Sequence, residues 1–251
     1  MIDLSAVVIT FNEERNIGRC LRSISGIADE IVVVDSFSKD KTVEICRSLG
    51  AKVVEHTFEG HIEQKNYALT QTRSLYVLSL DADEELSKEL RESILAVKND
   101  WSHDAYAMNR MTNYCGSWIR HGGWYPDRKV RLFDKRKAAW GGANPHDKII
   151  LSEGTTEGGV NGDILHYSYY DLNDHLRQIE YFTGISAQNL FKQGRRPSLI
   201  RMLFGPVVKF VRDYILKGGF LDGSAGLTIS ILSAKAVFIK YAKLRQLYEP
   251  R

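Results

Sequence analysis

Asp81 and Asp83 stand one residue apart where the apolar run Val77-Leu78-Ser79-Leu80 ends, just before Glu84-Glu85-Leu86. In an extended segment alternate side chains share a face, so both carboxylates point together while Ala82 turns away. Two carboxylates held side by side repel each other unless a positive group neutralises them. Mg²⁺ and Mn²⁺ suit hard oxygen ligands, and Mg²⁺ is usually held by one or two carboxylates plus substrate phosphates. A D-x-D at the end of a buried strand is therefore suited to a metal–diphosphate. The motif is frequent by chance, so its weight comes from that context.

The elements that position it are legible over the first 100 residues. Leu4 to Phe11 is a β-branched run, as in a strand buried on both faces. Ile17, Cys20, Leu21 and Ile24 follow at helical spacing, with Asn12 as a candidate cap. Glu30 to Asp35 reads as a second strand, and Asp40 as the cap of a helix carrying Val43, Cys46 and Leu49, stopped at Gly50. Ala51–Glu55 and Leu75–Leu80 read as strands three and four, separated by a helix over Ile62–Thr72; Ser87 opens another helix reaching about Val97. Strand–helix alternation implies crossovers, a mainly parallel sheet and helices on both faces, with ligands bound beyond the strands' carboxyl ends. Those ends carry Phe11-Asn12-Glu13, Asp35-Ser36 and Asp81-Ala82-Asp83. After residue 100 the alternation breaks down. Tyr106-Met108-Arg110 and Arg128-Val130-Leu132 read as alternating strands, Asp174–Phe191 as a helix, and Pro197 begins a region of apolar and basic helices.

In their order and wording these motifs resemble those of a family 2 glycosyltransferase. Thr10-Phe11-Asn12-Glu13 matches the family's T-x-[FY]-N-E, and Val34-Asp35-Ser36-Phe37-Ser38-Lys39-Asp40-Lys41-Thr42 matches V-D-[SG]-x-S-x-D-x-T, with Phe37 where a small residue is commoner. Gln64-Lys65-Asn66 and then Asp81-Ala82-Asp83 follow. Gly123 to Phe133 and Gly218-Gly219-Phe220-Leu221-Asp222-Gly223 resemble stretches of the lipopolysaccharide core β-glucosyltransferase branch. The resemblance implies a GT-A (nucleotide-diphospho-sugar transferase) fold with a C-terminal helical extension. It implies a donor site drawn from Thr10, Phe11, Asn12, Glu13, Asp35, Ser36, Lys65, Asn66, Asp81, Ala82 and Asp83. Asp35 would accept from the base, Glu13 would contact base or ribose, and Lys65 and Asn66 would lie beside the phosphates or donor sugar. Asp83 would be the main metal ligand, with Asp81 nearer the ribose and sugar. Asp35 and Asp40 acting as caps is the competing reading.

Inversion by direct displacement needs a base for the acceptor hydroxyl and a metal to absorb charge on the departing diphosphate. The resemblance places a carboxylate after a His, matched by Asn144-Pro145-His146-Asp147, so Asp147 is the expected base, with Asp127 and Glu153 as rivals. His166 is a candidate metal or diphosphate ligand, and a structural role competes equally. Trp118, Trp124, Tyr125 and Trp140 could stack on acceptor sugars or pack a core. Arg128 and Arg131 could bind acceptor phosphates, sharing one side of their strand only if a bulge intervenes.

Composition bounds the rest. The 251 residues suffice for one large domain or a domain with an appendage, at 43% hydrophobic and 26% charged. Cys20, Cys46 and Cys115 form no CxxC pair, which argues against a disulfide framework or zinc site. The N-terminus has no signal-peptide pattern, and no apolar stretch runs uninterrupted for the roughly 18 residues of a membrane span, so a reducing, cytoplasmic setting is expected. The net charge of +3 hides a split: from Lys192 onward 12 Lys+Arg face 3 Asp+Glu, a balance of +9, leaving −6 on residues 1–191. Leu203, Phe204, Val207, Val208, Val211, Tyr214 and Ile215 form one helical stripe with Lys209 and Arg212 outside it, and Ile229–Leu244 repeats the combination. Such a helix can lie in an anionic bilayer interface, pack on the catalytic domain or form a homo-oligomer seam.

The expected organisation is a GT-A catalytic domain over 1–191, nucleotide-sugar half 1–100 and acceptor half 101–191, with 192–251 as a basic extension on the inner face of the cell membrane. The expected activity is inverting transfer of a hexose, glucose from UDP-glucose, to a lipid-linked lipopolysaccharide inner-core acceptor with Mg²⁺ or Mn²⁺. Transfer to polyprenyl phosphate or another envelope precursor, and a non-catalytic sugar-nucleotide-binding assembly factor, are the alternatives. A Rossmann oxidoreductase is disfavoured because no GxGxxG follows the first strand, and no recognised motif supports nucleic-acid binding.

Overall fold

A computed structural model describes residues 1–143 and 146–249; Asn144 and Pro145, and the side chains of Ala143 and His146, lie outside the described residues. The four apolar runs form parallel strands β1 (Leu4–Thr10), β2 (Glu30–Asp35), β3 (Lys52–Glu55) and β4 (Tyr76–Asp81), side by side in the order β3-β2-β1-β4. Between them lie α1 (Ile17–Ile24), α2 (Thr42–Ser48) and α3 (His61–Thr70), and α4 (Lys88–Asn99) follows. The period-2 alternation of β1 sorts these helices onto two layers. Leu4, Ala6 and Val8 pack with Ile17, Leu21 and Ile24 of α1, Cys46 of α2, and Leu90 and Ile94 of α4. Val7 packs with Val32 and Val34 of β2 and with Ala68 and Leu69 of α3. Each fully buried Leu or Ile contributes about 2 kcal/mol, so the clamped sheet is a stiff support for its strand ends.

Local signals account for most boundaries. Ser87 caps α4, its hydroxyl accepting from Leu90 N–H at 3.2 Å. Asp40 stands one residue before the N-cap position of α2, which Lys41 occupies, and accepts from Thr42 N–H at 3.0 Å. Asn12 does not cap α1, which starts only at Ile17. Its backbone is left-handed at φ 54°, and its side-chain oxygen accepts from Lys39 N–H at 2.8 Å, tying the two strand-end loops together.

On the far side of β4 the sheet continues through β8 (Asp127–Asp134), β6 (Ala105–Tyr114), β11 (Glu157–Tyr169) and β5 (Glu84–Leu86), with β7 (Ser117–Trp118) pairing β6. β8 is antiparallel to β4 and to β6, and β5 to β11, so the sheet is mixed and its parallel part ends at β4. No helix lies between β6 and β8 in the chain, and without a crossover such neighbours pair antiparallel. β9 (Ala138–Ala143) and β10 (His146–Leu151) form a separate hairpin. In the β6–β8 ladder Tyr106 pairs with Leu132 and Ala107 with Val130, which leaves Arg131 as the extra residue of a β-bulge.

By compactness the chain forms two units, Met1–Arg110 with Asp127–His166, and Met111–Pro126 with Tyr167–Arg251, a division distinct from the functional one expected at residue 191. The second unit holds α5 (Leu172–Lys192), α6 (Leu199–Phe210), a π-helical stretch Val211–Leu216, a 3-10 turn Gly219–Asp222 and α7 (Gly223–Gln246). Asp171 and Asp174 form a capping box on α5. The Asp222 carboxylate accepts from the backbone N–H groups of Arg120 at 3.1 Å and His121 at 2.8 Å, giving the Gly218–Gly223 motif a structural task. A Cβ on Gly226 would lie 1.9 Å from the Gly219 carbonyl oxygen, so only glycine fits there. The helical run Gly219–Gln246 is long and apolar enough to cross a membrane by length and composition. Lys235 and Lys240 interrupt it, which is why a search for an unbroken apolar stretch passes it over. Within its unit Ile229, Leu232 and Leu244 are buried, and Lys243 pairs with Glu180 of α5 at 2.6 Å.

Candidate active site

The strand ends assemble in register. Thr10 at the end of β1 pairs with Asp35 of β2, and Ile9 with Asp81 of β4. Asp81 is held by two cations: Lys65 Nζ from α3 at 2.8 Å and an Arg131 guanidinium nitrogen from β8 at 2.8 Å. Burial by itself would raise the Asp81 pKa; Lys65 and Arg131 outweigh it and hold the carboxyl well below the usual range. The same Lys65 Nζ lies 2.8 Å from an Asp147 carboxylate oxygen on β10, and packs 4.2 Å above the Trp140 ring. A nearly buried ammonium thus bridges the first acid of the D-x-D and the expected base.

Asp83 keeps different company. One carboxylate oxygen lies 3.2 Å from His166 Nε2, and although burial pushes its pKa up, that neighbour brings it below the ordinary value. The two acids therefore have separate partners, and among the described residues no group of three or more His, Cys, Asp or Glu side chains stands ready to hold a metal. Asp83 with His166 still supplies two hard-to-borderline donors, both partly accessible, which fits a cation completed by phosphate oxygens. Asp81 is committed to Lys65 and Arg131.

Glu84 was not among the expected site residues and is central. Fully buried, it accepts from Arg131 at 2.8 Å, faces Arg110 at 3.4 Å, and accepts from the Asp81 backbone N–H at 2.9 Å. It thereby orients both Arg131 and Asp81. An acid adjoining the D-x-D is its only sequence signal, and Glu85 beside it carries the same signal while remaining partly exposed. The rival base Asp127 is held by two cations, Arg110 at 2.8 Å and Lys129 at 3.0 Å.

The remaining expected residues divide. Asp35 is fully buried and accepts from Ser38 N–H at 2.8 Å and Ser38 Oγ at 2.5 Å, so its carboxylate fixes the turn through Phe37, whose φ is 62°. Ser36 Oγ accepts from Gln64 at 3.1 Å. Glu13 accepts from Asn16 at 2.7 Å, and burial raises its pKa. Thr10 Oγ1 is buried with no hydrogen-bond partner among the described residues; Phe11 is exposed and Ala82 buried. Asn66 spends both ends of its amide on the Trp140 backbone, at 2.9 and 3.0 Å, and so staples α3 to β9. Trp140 forms the floor beneath Lys65. Trp124 packs with Tyr114, Tyr169 and His175 in the second unit, and Trp118 with Tyr167. Glu153 is exposed in a turn after β10.

Strand ends carrying acids, cations and a D-x-D on a half-parallel sheet define a sugar-nucleotide-handling enzyme. The family model for glycosyl transferase family 2 matches residues 5–151, and the chain belongs to that family. It is 34% identical to an uncharacterized glycosyltransferase of Rickettsia bellii, over 97% of this chain and 86% of that protein. It is 26% identical to the lipopolysaccharide core biosynthesis glycosyltransferase LpsC of Rhizobium meliloti, over 96% and 94%. Its fold is similar to that of the mannosyltransferase PcManGT of Pyrobaculum calidifontis, solved with GDP-Man and Mn²⁺, with a TM-score of 0.55 at 14% identity over 99% and 90% of the two chains. The fold is GT-A, and the chain is a glycosyltransferase enzyme.

Proposed function

We propose that this chain transfers a hexose, glucose from UDP-glucose, with inversion, to a lipopolysaccharide inner-core saccharide at the inner face of the cell membrane. The observation that carries the reading is the Lys65 bridge between Asp81 and Asp147. The donor's base and ribose would lie against Thr10–Glu13 and Asp35–Ser36, and its sugar beside Asp81 and Lys65. Asp83 and His166 would hold a Mg²⁺ or Mn²⁺ ion, which when bound offsets the charge of the leaving diphosphate. Asp147 takes the proton of the acceptor hydroxyl as that oxygen attacks the anomeric carbon and the bond to the diphosphate breaks. Lys65 orients Asp147 for that transfer, and Glu84 with Arg131 fixes Asp81 from behind. The likeness to LpsC supports a lipopolysaccharide acceptor, and the metal and nucleotide sugar bound by PcManGT support the donor class.

The membrane reading rests on α6. None of its residues is buried, and Ile200, Phe204 and Val208 are 72%, 64% and 66% exposed, followed by Leu216 at 76%. Arg195, Arg196, Arg201 and Lys217 accompany this apolar face. An apolar face flanked by cations is complementary to an anionic lipid surface, with each basic residue contributing about 1 kcal/mol near it.

The test is transfer and nucleotide binding measured side by side with Mn²⁺ across UDP-, GDP- and TDP-sugars. Asp147→Asn should lower transfer by about 100-fold or more while leaving UDP affinity within a few-fold. Asp83→Ala should abolish the metal dependence of UDP binding. Full transfer by either variant would defeat the assignment of these roles.

A further inference from the structure

We infer that the cavity adjoining Asp147 and Lys65 is an anion subsite for the acceptor, selecting saccharides that carry a phosphate or carboxylate near the reacting hydroxyl. The inference rests on the transferase reading above and adds the charge of the acceptor to it. An open cavity of about 510 Å³ lies within the first unit, and its wall presents six cationic side chains against two acidic ones. The two acids are Asp81 and Asp147, both already bridged by Lys65.

What remains of the wall is cationic. Arg131 and Arg110 face inward to Glu84 and are spent on the D-x-D support. Arg128, Lys129 and Lys148 lie further out. Arg128 is paired with Glu157 at 3.0 Å and Lys129 with Asp127 at 3.0 Å, yet neither acid lines the cavity. Lys148, exposed and next to the expected base on β10, has no ionic partner among the described residues. Exposed pairs of the Arg128–Glu157 kind are worth little, so an incoming oxyanion displaces them at small cost.

The backbone explains how Arg131 comes to share a side with Arg128. A regular strand would send Arg128 and Lys129 to opposite faces, and Arg131 with Lys129. The bulge at Arg131 breaks that alternation between Arg131 and Arg128, and residues Arg128, Lys129, Val130 and Arg131 all border the cavity. Two further donors of the wall, Arg131 Nε and Trp140 Nε1, are buried without an acceptor among the described residues. A wall of donors and positive charge is matched by a ligand made of acceptors and negative charge. A neutral saccharide would leave Lys148 and Arg128 without a role.

The test titrates glucose 6-phosphate, glucuronate and glucose into the full chain held at saturating UDP and Mn²⁺, so that phosphate cannot report the donor side. UDP binding is measured first and alone; its absence would overturn the transferase reading itself. With UDP bound, at least one of the two anionic sugars should bind about tenfold or more tightly than glucose. Which one does so tells phosphate from carboxylate. The double variant Arg128→Gln, Lys148→Gln should erase the preference while UDP affinity stays within twofold and the thermal midpoint is unchanged, since both side chains are exposed. No preference over glucose, no binding of either anion, or a preference that survives in the double variant would overturn the inference.

Discussion

Lys65 Nζ and the Asp147 carboxylate lie 2.8 Å apart although 82 residues separate them in the chain. The lysine comes from the middle of α3 and the acid from the hairpin β9–β10, and Trp140 of that hairpin supports the lysine from below. One ammonium therefore sets the position of an acid on the donor side and of another on the acceptor side. Removing it leaves two carboxylates facing each other with one cation fewer.

Lys65→Met should lower the stability of the fold by about 3 kcal/mol, because breaking a buried pair strands its partner charge. Transfer should fall by about 100-fold through misplacement of Asp147. Urea denaturation and steady-state rates check the two effects separately. A variant with wild-type rates would show that the bridge positions nothing.

Asn66→Ala is expected to act on stability and hardly on nucleotide affinity. Two hydrogen bonds to the Trp140 backbone are lost, worth about 2 kcal/mol together. Were Asn66 a phosphate contact, UDP affinity would fall while the unfolding midpoint held.

His175 gives a pH signature. Burial lowers its pKa to about 4, beneath the usual 6.5, and its Nδ1 lies 2.9 Å from the Tyr114 hydroxyl. The folded state keeps the ring neutral where the unfolded chain would protonate it. Its contribution is complete above pH 6.5 and is lost progressively as pH falls from there to about 4, by as much as about 3 kcal/mol. Thermal unfolding of wild type and His175→Gln between pH 4.5 and 7 should show a flatter pH slope in the variant.

Phe204→Glu with Ile200→Glu should cut binding to vesicles containing anionic phosphatidylglycerol by about tenfold or more, with transfer to a soluble acceptor retained. Retained vesicle binding together with a change in molecular mass would assign the face to a homo-oligomer seam.

Much of the fold was legible because the first 100 residues state it twice, in β-branched runs and in helical periodicity. β2 matches its expected span, Glu30–Asp35, β1 and β3 differ from theirs by one residue at one end, and β4 is shifted by one residue at both ends. β5, β7, β9 and β10 went unread: β5 and β7 are only three and two residues long, and β9, Ala-Ala-Trp-Gly-Gly-Ala, has Trp140 as its one strand-favouring residue. β11 is a long strand built on Glu157-Gly158-Gly159 and Gly162, where weak propensity is overridden by pairing. The resemblance named Asp81, Asp83, Lys65 and Asp147 as candidates, yet it could not show that Lys65 joins two of them.

By itself, the sequence determined the parallel half of the sheet, the family, and the residue types at each strand end, because local periodicity and short motifs are properties of neighbours in the chain. Tertiary structure alone decided that Asp81 belongs to Lys65 and Arg131 while Asp83 belongs to His166, that Glu84 lies buried beneath them, and that a bulge turns Arg131 toward the same cavity as Arg128. Those facts depend on which distant segments share an ångström-scale space. That is settled by the packing of the sheet, where hydrogen-bond register and burial act together on residues the chain keeps far apart.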